Sequence, residues 1–233
     1  MRKDIRLRSS EGPEFDCYVV TPDKAQAVPA VVLASAIHGV DDDLRAIADE
    51  LASHGFIAAA PDLFWRSVPG PLARNDSRST PRGQPRLEKI KAGEQDLIDV
   101  LTMLRNERLF NGRAAVIGFC YGGPYAILGS KRLGYDAGLS FHGTQMLDFL
   151  DELEGIRKPV CIVWGDQDSV APAPVLEAYR AAAGRMKTLE VHVLPGVQHG
   201  YMMRGGGAAF DQKAYDFSMN RALAILERLR RPD

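Results

Sequence analysis

The sequence predicts an α/β fold, in which a mostly parallel central sheet is covered by helices on both faces to give three layers. Three observations predict it. Short apolar, strand-like runs alternate along the chain with stretches of helical periodicity, an alternation that implies crossover connections and parallel pairing. Some runs, such as Ala30–Ser35, are continuously apolar, as strands buried on both faces are. One run ending at Ile117 leads into Gly118-Phe119-Cys120-Tyr121-Gly122-Gly123, a glycine-bracketed turn between a strand and a helix.

Phe15–Val20 reads as a strand closed by Thr21-Pro22, and Ala30–Ser35 as the next. Asp41, Asp42 and Asp43 place carboxylates at the start of a helix that runs to about His54 and stops at Gly55. Phe56–Ala60 is a strand closed by Pro61-Asp62-Leu63. From Trp65 to Pro85 the chain is rich in Pro, Gly, Arg and Ser without periodicity, which predicts a long loop of the kind that is functional or disordered. Arg86–Arg108 carries Leu87, Ile90, Leu97, Leu101 and Leu104 at helical spacing. Ala114–Ile117 is the strand feeding the cysteine turn, and Tyr121–Arg132 the helix leaving it. Strands follow at Gly138–Phe141, Val160–Trp164 and Leu189–Leu194, with helices at Gln145–Glu152, Ala173–Ala183 and about Ala208–Leu229. The last of these has Phe210, Phe217, Leu223, Leu226 and Leu229 as its apolar side.

The composition narrows the function classes. The 233 residues, long enough for one large domain spanning 1–233, are 45% apolar and 25% charged with a net charge of −1, so nothing points to a nucleic-acid partner or an anionic membrane surface. The basic cluster Arg228-Leu229-Arg230-Arg231 suits the dipole at a helix end. The N-terminus lacks an apolar signal region and no run reaches the ~20 residues of a membrane span, so a cytoplasmic location is expected. Three cysteines make no disulfide framework, and no C-x-x-C or paired-histidine spacing suggests zinc. Cys17 and Cys161 lie in apolar strands and read as core thiols.

Cys120 is different. The run Val116-Ile117-Gly118-Phe119-Cys120-Tyr121-Gly122-Gly123 matches a nucleophile elbow, the strained strand-to-helix turn of α/β-hydrolases, with cysteine in place of serine. Gly118 and Gly122 remove side chains where the backbone crosses itself. The turn lifts the sulfur to the carboxyl edge of the sheet, where the active site of such a fold lies.

The nucleophile needs a base, an acid and an anion hole. Chain order in this fold is nucleophile, acid, histidine. Three histidines follow Cys120. His192 sits inside the alternating strand Leu189–Leu194. His142 ends a strand near the carboxyl edge, as a pocket-lining residue rather than the base. His199, on a loop before the final helix, is the candidate base. In Gly165-Asp166-Gln167-Asp168, Asp166 reads as a turn residue and Asp168 as the acid that orients His199. Backbone N–H groups of Tyr121 and of Ile37, on the loop after the early buried strand, are the candidates for the oxyanion hole, and the neighbouring His38 is a possible pocket residue.

Together these segments resemble the dienelactone hydrolase family (carboxymethylenebutenolidases). The matching stretches are Ile37-His38-Gly39-Val40, Pro61-Asp62-Leu63, Gly118 to Gly123, Gly165 to Asp168 with Pro172, and Gly196 to Gly200, in family order along most of the chain. The resemblance implies a single-domain α/β-hydrolase fold, a Cys120–His199–Asp168 triad, Ile37 and Tyr121 as anion-hole amides, and no cofactor. It implies hydrolysis of a small ester or lactone; a general carboxylesterase or thioesterase is the alternative within enzymes, and a non-catalytic thiol-based binding or redox-sensing protein the alternative outside them. Well-known members carry a glutamate just before the Ile of the first loop, where this chain has Ala36. The resemblance also implies arginines for a substrate carboxylate, for which Arg204, Arg66, Arg74, Arg78 and Arg82 are the candidates. Monomer and homodimer both stay open.

Overall fold

The computed structural model describes residues 1–24 and 26–230, so Arg231 of the basic cluster lies outside the described residues. One eight-stranded sheet organises them: β1 (Arg2–Arg8), β2 (Glu14–Val20), β3 (Val28–Ala34), β4 (Ile57–Pro61), β5 (Phe110–Phe119), β6 (Ala137–Phe141), β7 (Val160–Gly165) and β8 (Leu189–Leu194), in the order β1-β2-β4-β3-β5-β6-β7-β8. β1 and β2 pair antiparallel, as do β2 and β4; every other pairing is parallel. The α-helices are α1 (Asp42–Ser53), α2 (Ser79–Arg82), α3 (Arg86–Leu104), α4 (Tyr125–Leu128), α5 (Ala173–Ala183) and α6 (Gln212–Arg228).

The buried strands explain the layers. Side chains alternate across a strand, so Ala30, Val32 and Ala34 of β3 enter one apolar core with Leu97, Val100 and Leu101 of α3, while Val31 and Leu33 enter the other with Leu51 of α1 and Ile225 of α6. After β3 the chain turns to β4 on one side, then crosses back to β5 on the other. The carboxyl ends of β3 and β5 therefore flank the point where strand order reverses, the place where open α/β sheets form a crevice.

Several expectations are corrected. β1 was not expected: Arg2-Lys3-Asp4-Ile5-Arg6-Leu7-Arg8 is mostly charged, and only full-length pairing with β2 makes it a strand, at an edge where charge deters further pairing. Tyr121–Arg132 is not one continuous helix. It is a 3₁₀ turn (Cys120–Gly122), the single turn α4, and a π-type turn (Gly129–Leu133) closed by Gly134 at φ 91°; Gly122, Gly123, Pro124 and Gly129 are poor helix continuers. Gln145–Glu152 likewise becomes two 3₁₀ turns, Met146–Phe149 and Asp151–Leu153. The 65–85 stretch holds the short helix α2. On α3, Ile90, Leu97, Leu101 and Leu104 are buried as expected, but Leu87 is 57% exposed and Arg86 takes its place on the buried stripe. α6 starts at Gln212, capped by Asp211, after a 3₁₀ segment (Arg204–Ala209). Its core side carries Tyr215, Met219, Ala222, Ile225 and Leu226, with Phe210, Phe217 and Leu223 half-buried.

Among the described residues no helix is long and apolar enough to cross a membrane. Cys17 and Cys161 are core thiols, and burial pushes both up to about 12.

Candidate active site

Cys120 sits at the first position beyond β5 with φ at +49°, the left-handed region that a non-glycine residue adopts only at a cost. Surrounding glycines hold it there. A Cβ on Gly118 would lie 2.1 Å from the Gly122 carbonyl oxygen, one on Gly122 2.3 Å from the Ala34 oxygen at the end of β3, and one on Gly123 2.5 Å from Gly143 Cα. The elbow thus presses directly on the neighbouring strand ends. Gly122→Ala is expected to destabilise the protein by ~3 kcal/mol or more, because the obstacle is backbone and not a side chain that can swing aside. Thermal unfolding would show this as a Tm lower by roughly 6–12 °C in a chain of this size; an unchanged Tm would mean that the elbow relaxes freely.

From the loop after β8, His199 reaches over the elbow. Its Nε2 lies 3.2 Å from Cys120 Sγ, and its Nδ1 lies 2.8 Å from Oδ2 of Asp168 on the loop after β7. The Asp168 side chain is fully buried, and its Oδ1 accepts the Val170 N–H at 2.9 Å, which fixes the carboxylate. Burial works against a charge on His199, but hydrogen bonds with Asp168 and Cys120, together with their charge, outweigh it and raise the imidazole to about 10. Among the described residues Sγ hydrogen-bonds to His199 alone, and Ala36 is a small buried core residue.

Cys120 opens into a cleft of about 280 Å³ whose walls include Ile37, Thr80, Gln84, Tyr121, Thr144 and Gln145. Both anion-hole candidates, Ile37 and Tyr121, therefore share the cleft with the sulfur. A larger concavity, about 650 Å³ between Leu153, Arg157, Ala182 and Lys187, is lined by neither cysteine nor histidine.

The other candidates divide. His142 is brought to the site: its ring stands edge-on to His199 with centroids 5.0 Å apart. His38 is half-buried beside Ile37, and its carbonyl accepts the Leu72 N–H at 2.9 Å, so it docks the 65–85 loop; burial, with Arg74 and Arg82 nearby, lowers its imidazole. Arg204 is not brought to the cleft. It lies 3.5 Å from Glu50 and over the Tyr215 ring. Asp166 is the expected turn residue, accepting the Gly196 N–H at 2.7 Å, and His192 lies on β8 beside Glu190 and Phe217.

The loop arginines have structural partners. Arg66 pairs with Asp96 and Glu11, Arg74 with Asp43, and Arg78 with Asp76. Arg82 is only 2% exposed; its Nε donates to the Ile37 carbonyl at 2.8 Å and its Nη1 to the Val68 and Gly70 carbonyls. Arg86, which sequence reasoning missed, donates from Nη2 to the carbonyls of Tyr121 and Thr144, both at 2.9 Å, with its guanidinium over the Tyr121 ring. Two buried arginines thus pin the residues carrying the two candidate anion-hole amides. The signal for Arg86 was its place one helical turn before Ile90, on the stripe that faces inward.

The chain resembles known proteins along nearly its whole length. The chain is 29% identical to carboxymethylenebutenolidase 1 of Cupriavidus pinatubonensis over 98% of its own length and 97% of that protein. It is 28% identical to a carboxymethylenebutenolidase of Pseudomonas putida, covering 82% of each chain. Its fold is that of the crystal structure of a putative dienelactone hydrolase from Klebsiella pneumoniae, with a TM-score of 0.83 at 21% identity over 98% of both chains. The model of the dienelactone hydrolase family matches residues 15–229. The chain belongs to the dienelactone hydrolase family, enzymes that hydrolyse esters and lactones.

Proposed function

We propose that the protein hydrolyses a small ester or lactone through a thioester on Cys120. The observation that carries this reading is the continuous hydrogen-bonded line from Sγ through the His199 imidazole to the Asp168 carboxylate, set on a strained elbow at the floor of the cleft. Sγ attacks the acyl carbon as the thiolate, its proton resting on His199. The tetrahedral oxyanion is held by the Ile37 and Tyr121 N–H groups, on residues whose carbonyls accept from Arg82 and Arg86. His199 then protonates the leaving oxygen, and a water that gives its proton to His199 releases the acid. Asp168 holds the imidazole in one orientation and stabilises its charged form.

Arg204 is engaged by Glu50, and Arg86, the arginine in the cleft wall, commits Nη2 to two carbonyls. The test is direct trapping. A chromogenic acetate ester, quenched in acid during turnover, is expected to leave an acetyl thioester on the peptide containing Cys120, seen by mass spectrometry, with a burst of about one equivalent of chromophore. Turnover with no adduct on that peptide, or an adduct on another residue, would refute the reading.

A further inference from the structure

Two clusters of metal-ligating side chains occur among the described residues. In one, Cys161, Glu190 and His192 meet on β7 and β8, but the Arg221 guanidinium is already hydrogen-bonded to Glu190, so an arriving cation would meet a positive charge. The other joins Cys120 Sγ with one ring nitrogen each of His199 and His142, all three donor atoms within 4.8 Å of one another; His199 Nε2 is 3.2 Å from Sγ.

His142 is the unexplained member. The Cys–His–Asp line does not use it. It is 1% exposed, yet neither ring nitrogen has a hydrogen-bond partner, a state that costs about 1–3 kcal/mol for a buried polar group. It is also held in a left-handed conformation, φ +42°, by a 2.9 Å bond from its N–H to the Val163 carbonyl, with its ring edge-on to both His199 and Tyr201.

We propose that Cys120, His142 and His199 form a three-donor site for a thiophilic divalent cation of the zinc class, and that an ion there blocks the nucleophile. A thiolate with two imidazoles suits zinc or cobalt and not magnesium or calcium. With Zn–S near 2.3 Å and Zn–N near 2.0–2.1 Å, tetrahedral geometry sets the donors about 3.5 Å apart. Sγ and Nε2 already stand 3.2 Å apart, so only His142 has to close in. Asp168 on Nδ1 of His199 supplies the carboxylate that metal-bound histidines usually carry on their far nitrogen. Three protein donors leave a fourth position for water. Binding displaces the proton between Sγ and Nε2, so one proton leaves to the buffer per ion bound.

The tests read binding and thiol reactivity, so they are independent of whether the protein hydrolyses any ester. Calorimetric titration of chelator-treated protein with Zn²⁺ in two buffers of different ionisation enthalpy is expected to give one ion per chain and about one proton released. Iodoacetamide labelling of Cys120 should stop in parallel. His142→Asn, which tolerates the left-handed backbone, is expected to bind at least about 100-fold more weakly, beyond the 10–100-fold that loss of a ligand's supporting partner costs, while its metal-free Cys120 is still alkylated. Should that variant not fold, zinc X-ray absorption on the wild-type complex decides, with one sulfur and two imidazoles expected. Wild-type affinity in His142→Asn, a single imidazole in the absorption spectrum, or no stoichiometric binding to the wild type would each overturn the proposal.

Discussion

Cys120→Ala is expected to lower ester hydrolysis by about 10⁴-fold or more, since removing a nucleophile disables the whole catalytic unit and leaves only what the anion hole and binding supply. The interpretation is clean for a structural reason. Position 120 has a positive φ whichever of the two residues stands there, so the variant keeps the strain already borne by cysteine and should unfold at nearly the wild-type temperature. Initial rates with a chromogenic acetate, alongside a melting curve, check both halves. A folded variant that retains more than a few per cent of the wild-type rate would show that Sγ is not the attacking atom.

Asp168→Asn has the second largest expected effect, on the order of 10³–10⁴-fold in kcat, because the amide can present the wrong group to Nδ1 and no longer stabilises the imidazolium. It also carries a pH signature. In the wild type His199 is raised to about 10, so the protonated form that delivers a proton to the leaving oxygen is present below that pH and is lost above it. The kcat/KM profile should therefore hold across neutral pH and fall on the alkaline side near 10. Burial alone pushes His199 the other way, and Asp168 is among the contacts that overcome it. Removing the carboxylate should shift the alkaline limb to lower pH. A purely structural role for Asp168 would reduce the rate without moving that limb, and this distinguishes the two.

Much of this arrangement was legible in the residues, and the failures have physical causes. Buried strands advertise themselves because both faces need apolar side chains, so β3, β5, β7 and their order along the chain could be read directly. The elbow was readable because backbone crossing at Gly118 and Gly122 excludes every other residue. β1 was not readable, since its charged side chains carry no burial signal and its pairing partner lies in another segment. The helix after the elbow looked continuous because a window of sequence does not register how Gly122, Gly123 and Gly129 pack against neighbouring strands. The arginines of the long loop looked alike by composition. Only the folded chain separates Arg78, exposed beside Asp76, from Arg82, buried on the Ile37 carbonyl.

By itself the sequence determined the α/β architecture, the cysteine elbow, and the Asp168 and His199 loops that follow it in order. These are properties of local backbone geometry and of side-chain chemistry at fixed places in a chain, and such properties are written residue by residue. The tertiary structure alone decided that Arg204 turns to Glu50, that Arg82 and Arg86 brace the two candidate anion-hole residues, and that His142 stands beside Sγ and Nε2 with both nitrogens unpaired. Each of those is a meeting between side chains from strand ends and loops far apart in the chain, and what a polar side chain does is set by which partner reaches it first when the sheet closes.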